Sequence, residues 1–181
     1  MSDSTEQIQD MPEGGSWGEP IDMILDPEAM FLSALMWAAD DSEVAERVCG
    51  VLTADDFYNM AYAEIFSLML ARREKNEPID AVSLQSAFHT LGDTSPLPLS
   101  SARETLLALA TLGAAPQRLF AYADQVLGTS YRRQFQAMAG NLVHVAETAP
   151  EDQLFEIMVE HGKRQRHAWA RRQQLTTNPE Q

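Results

Sequence analysis

Residues 117 to 149 run for over thirty positions without a proline, interrupted by glycine only at Gly128 and Gly140. Pro150 then separates this stretch from a second proline-free segment that reaches about Gln173. Proline lacks the backbone donor and clashes with the preceding turn, so one proline between two helical stretches marks a chain reversal. Two long helices joined by one break are expected to form an antiparallel hairpin, over 115–173. Leu119, Tyr122, Val126, Tyr131, Phe135, Met138, Leu142 and Val145 supply apolar residues for the first arm, and Leu154, Phe155, Ile157, Met158 and Val159 for the second. They do not all fall on one stripe. Either the hairpin folds back onto the chain's own core or part of it meets another subunit. Leu119, Tyr122, Val126, Tyr131, Phe135, Met138 and Leu142 are the interface candidates.

Upstream the pattern is also helical, which makes the expected fold all-α: a small helical globule over 23–114 followed by the hairpin. Asp26 and Pro27 supply an N-cap acceptor and a preset φ for a helix through Phe31, Leu32, Leu35 and Met36. Asp41 or Ser42 can cap a short helix through Val44, Val48 and Val51. Thr53 to Asp56 fits a capping box with a shortened acid and leads into a longer helix carrying Ala61, Ile65, Phe66, Leu68 and Met69, with Arg72, Arg73 and Lys75 at its negative pole. After Pro78, Asp80 caps a helix whose face is read as Val82, Leu84, Phe88 and Leu91, ending at Gly92. Residues 93–100 are a proline-bearing loop, and Ser101 to Glu104 reads as a capping box opening a helix through Leu106, Leu107 and Leu109 to Gly113.

Charge is distributed unevenly. The chain has 27 acids against 13 bases, but residues 1–56 hold fourteen of those acids and a single base, Arg47. Residues 1–22 are polar, acidic and poor in apolar groups, the composition of a disordered tail, with Trp17 either a docking residue or an incidental aromatic; a second tail is expected at 174–181. Lys163, Arg164, Arg166, Arg171 and Arg172 form a basic run with no acid among them. These bases can contact nucleic acid, with Trp169 as a stacking platform, or simply favour a helix C-terminus.

Nothing in the chain spells out catalytic chemistry. The single cysteine, Cys49, has no companion for a disulfide or zinc and is expected as a buried thiol; His89 reads as a surface or hydrogen-bonded histidine and not as a ligand. His144 with Glu147 and Glu160 with His161 lack the repeated Glu-x-x-His of a di-iron bundle. Neither Gly-x-Ser-x-Gly nor His-Glu-x-x-His occurs, and Asp55 and Asp56 are neighbours with diverging side chains. No cofactor or metal is expected. No apolar run approaches the roughly 18 residues of a membrane span, and the start lacks a secretory pattern, so a cytoplasmic protein is expected.

Four stretches, in order, give a resemblance: "DPEAMFLSALM" (26–36), "LTADDFYNMAYAEIF" (52–66), "EPIDAVSL" (77–84) and "FAYADQV" (120–126). Across about residues 22–165 the chain resembles the N-terminal domain of DnaB-type replicative DNA helicases. It departs from that pattern at Ser33, Met60 and Tyr62, where the family often has glycine, proline and histidine, and in the loops before residues 101 and 120. The motor's Gly-x-x-x-x-Gly-Lys-Ser/Thr phosphate loop is missing from these 181 residues. The resemblance thus implies a stand-alone, non-catalytic collar domain. Its hairpins would pair between subunits as a dimer or hexamer, and its partners would be itself, a helicase or a primase. By the same resemblance Asp56 caps, while Phe57 and Tyr58 wedge the helix entry into the core.

Overall fold

A computed structural model of the chain describes residues 20–39 and 41–176, with side chains from Met23 onward. Among the described residues there are helices and no strands: α1 (Pro20–Leu25), α2 (Pro27–Met36), α3 (Glu43–Val51), α4 (Met60–Arg73), α5 (Ala81–Leu91), α6 (Leu99–Leu112), α7 (Leu119–Thr148) and α8 (Leu154–Thr176), with single 3₁₀ turns between several of them. None is long and apolar enough to cross a membrane.

The centre of the globule is α2. Asp26 accepts from the Glu28 amide at 2.9 Å and Pro27 opens the first turn. From Glu28 to Met36 all but Met30 are buried, because α4, α6 and α7 pack around this short helix. A helix covered on every side has no polar face to preserve. Phe31, Phe57 and Phe66 form a ring cluster with centroids 4.9–6.0 Å apart. Each such burial contributes about 1.5 to 3 kcal/mol. Ser33 is fully buried, and its hydroxyl accepts from the Ala114 amide at 3.3 Å, tying α2 to the segment that enters α7.

Local signals place most boundaries. Ser42 caps α3, Asp80 caps α5 through the Val82 and Ser83 amides, and Gly113 ends α6 at φ 61°, the left-handed region open to glycine. The Thr53–Asp56 box closes one 3₁₀ turn that leads into α4, as expected, and Asn59 caps that helix. Two expectations are corrected. The helix read from Ser101 starts earlier, at Leu99, because Pro98 supplies the entry conformation and its carbonyl accepts the first bond, from Ala102. On α5, Leu84 and Phe88 are buried, whereas Val82 and Leu91 are exposed: α5 lies at the edge and meets its neighbours α4 and α6 through a narrow strip.

The last two helices form the antiparallel hairpin. The first twelve residues of α7 belong to the core, with Leu119, Ala123, Val126, Leu127 and Ser130 buried, so the arm leaves the globule in a direction fixed by packing. α8 returns alongside it and ends against α3. Two expected boundaries shift: α1 takes in residues 20–22, and α8 continues past 173 to Thr176, with Leu175 fully buried. Trp17 and the remaining expected tail residues, 1–19 and 177–181, lie outside the described residues.

Candidate interaction surface

The turn "TADDFYN" joins the globule to both hairpin arms. Asp56 is 1% exposed, and its carboxylate accepts from the Thr53 amide at 2.8 Å, the Thr53 hydroxyl at 3.2 Å and the Ser130 hydroxyl of α7 at 2.9 Å. It also pairs with the Arg171 guanidinium from α8. Arg171 donates in addition to the Val51 carbonyl from Nε at 3.2 Å and Nη2 at 2.9 Å. From α7, Arg133 donates to the Asp56 carbonyl at 2.6 Å and lies 3.4 Å from Glu28. Glu28 in turn accepts the Tyr58 and Asn59 amides at 2.7 and 3.1 Å. Burial is the leading cause that pushes the Glu28 carboxyl above its ordinary range, opposed by those two amides. Buried charge is tolerable only when paired and hydrogen-bonded, and here both carboxylates are.

Phe57 enters the core as expected, but Tyr58 does not. It is 79% exposed and lies under the Arg133 guanidinium, 5.6 Å from ring centroid to charge, while its amide donates to the buried Glu28 carboxylate. The turn thus works through its backbone and through Asp56, with Tyr58 as an outer plate.

Beyond this base the arms meet along a seam of half-buried residues: Tyr131, Gln134, Met138, Leu142 and Val145 on α7, Leu154, Ile157, His161, Gln165 and Ala168 on α8. The spacing on both arms runs three, four, four, three, steps that keep one side of each helix on the partner. The Tyr131 and Trp169 rings pack tilted against each other with centroids 5.9 Å apart, and His161 hydrogen-bonds Asn141 at 2.9 Å, which sets the register. In that register Val143 is level with Met158, and Ala146 with Phe155.

One flank of the hairpin is apolar and uncovered. On α7 it contains Phe135, Ala139, Val143 and Ala146; on α8, Phe155, Met158, Val159 and Gly162. Each set recurs at helical spacing. Because antiparallel helices wind in opposite senses seen from one end, the two sets fall on the same side. Phe155 is 69% exposed and Val143 63%.

The expected interface residues therefore divide. Leu119 and Val126 are buried in the chain's own core, and Tyr122 packs against that core. Tyr131, Met138 and Leu142 lie in the seam, and Phe135 is on the open flank. Of the flank's other large members, Phe155, Met158 and Val159 were legible as apolar positions of the second arm, whereas Val143 was missed among those of the first; the common face needs the register of two helices. The basic run divides as well. Arg171 is held by Asp56 and Val51, and Arg172 packs on Gly128 and lies 3.6 Å from Asp124. Lys163, 3.4 Å from Glu160, Arg164 and Arg166 are exposed.

Among the described residues no group of three or more His, Cys, Asp and Glu is placed to hold a metal ion. Cys49 is half-buried, and burial pushes its thiol up to about 11, which leaves a poor nucleophile at neutral pH.

The chain is thus an all-α globule whose last core helix extends into a hairpin with an exposed apolar flank. The family model for the DnaB-like helicase N-terminal domain matches residues 20–127, and the chain belongs to that family. The match ends at Leu127, inside α7, and the open flank lies beyond it. No curated protein matches the chain in sequence.

Proposed function

We propose that the chain is a non-catalytic oligomerisation and protein-interaction module of the replication apparatus, of the helicase-collar or primase-docking kind. The observation that carries this reading is the uncovered apolar flank of Phe135, Val143, Phe155, Met158 and Val159 in a member of the DnaB N-terminal domain family. A second copy is the occupant that the family points to, giving a dimer or a larger ring. Helicase or primase partners would then meet the assembled collar. These 181 residues hold no phosphate loop for ATP, so the proposed role is one of contact.

Sedimentation and light scattering across protein concentration test the proposal. Self-association in the wild type that is lost in Phe155→Ser and in Val143→Ser, with helicity and melting retained, is the expected result. A wild type that remains monomeric at every concentration sinks the self-association reading. The nucleic-acid alternative has less in its favour, since Arg171 and Arg172 face their own chain and leave Lys163, Arg164 and Arg166 outside.

A further inference from the structure

The two arms of the hairpin are held to the globule in different ways. α7 is an extension of the core. α8 has one buried residue, Leu175, at the end farthest from the hairpin turn. Its attachments to the globule gather there too: Arg171 on Val51 and Asp56, and Arg47 donating to the Gln174 and Leu175 carbonyls at 3.2 and 3.0 Å. Between the two ends the seam is only half-buried, and Gln165 Oε1 lies in it buried and without a hydrogen bond. Such an orphan acceptor costs free energy while the seam is closed and regains water when it opens.

Asp56, by contrast, keeps the Thr53 amide, the Thr53 hydroxyl and Ser130 as donors whatever α8 does. The acceptor is therefore preformed in the globule. Withdrawal of Arg171 returns one guanidinium to water and leaves a carboxylate that is still hydrogen-bonded, a much smaller penalty than orphaning a buried ion.

We propose that the Arg171–Asp56 contact is a latch that holds α8 as a strap against α7, and that the latch governs the apolar flank. The flank is shared, with Phe135 and Val143 on α7 and Phe155, Met158 and Val159 on α8, so it is continuous only while the strap is closed. This second part rests on the docking reading given above. A partner that draws Arg171 off Asp56 would split the flank without unfolding the globule.

Hydrogen exchange measured by mass spectrometry on the full chain tests this, comparing wild type, Arg171→Met and Arg171→Lys. In Arg171→Met the amides of 154–176 are expected to exchange on the order of ten- to a hundredfold faster, with those of α2 and α4 unchanged. Arg171→Lys should lie between the two, and Arg171→Met should also weaken self-association. Exchange in α8 that matches wild type, or that rises in step with α2 and α4, overturns the latch. Phe155→Ser separates the two readings: association left intact by it removes the docking flank and the gating role with it, while the exchange result still decides the latch.

Discussion

Asp56 and Arg171 are 115 residues apart in sequence and form an ion pair whose carboxylate is almost completely buried. The pair closes the chain, since it joins the turn before α4 to the last helix. Asp56→Ala removes the acceptor for Thr53, Ser130 and Arg171 together. We expect a loss of about 2 to 4 kcal/mol, read from urea unfolding. A loss under about 0.5 kcal/mol would mean that water replaces the whole network.

Leu175 lies within the segment whose composition reads as a tail, yet it is fully buried. Leu175→Ala is expected to cost about 2 to 4 kcal/mol. Thermal melts of this variant beside Leu107→Ala, a change at an exposed site on α6, provide the check; equal melting temperatures would contradict the burial.

Two glycines should respond in opposite ways. Gly113 has a φ of 61°, so a Cβ there is strained, and Gly113→Ala should destabilise by about 1 kcal/mol. Gly50 lies within α3, and the space a Cβ would take there has no neighbouring atom within 4 Å, so Gly50→Ala should stabilise by about 0.5 to 1 kcal/mol. Chemical denaturation midpoints of the two variants should therefore move apart.

Alkaline pH should destabilise the fold by a defined route. Burial first, then the nearby Asp26 and Glu28 charges, push the Tyr62 phenol up from 10.0 to about 12; burial pushes Cys49 up from 9.0 to about 11. In each window the folded chain keeps a proton that the unfolded chain has released, so stability falls as pH rises through it. Melting temperatures should decline from pH 9.0 upward, and Tyr62→Phe should flatten the part above pH 10.0. An identical decline in Tyr62→Phe would exclude the phenol as its source.

Self-association through the apolar flank should respond to salt differently from binding to phosphate. Apolar contact is not screened, so the association should hold or strengthen between about 50 and about 500 mM salt. DNA binding by Lys163, Arg164 and Arg166 would fall steeply over the same range. Sedimentation at both salts distinguishes them.

The all-α class, the hairpin and most helix ends were legible along the chain, because these depend on local chemistry: Asp26 with Pro27, Asp80, Gly113, and proline at position 150. Four short stretches also carried the family. Packing, and not pattern, settled which apolar residues are spent inside and which remain open. Val82 and Val48 look alike in a helical pattern, but one is exposed at an edge and the other is buried between helices. Packing likewise assigned Arg171 to Asp56 while Arg166 faces solvent, five residues apart on one helix. Local periodicity tells which side of a helix a residue occupies; only the assembled fold tells what stands opposite, and burial and charge pairing depend on that.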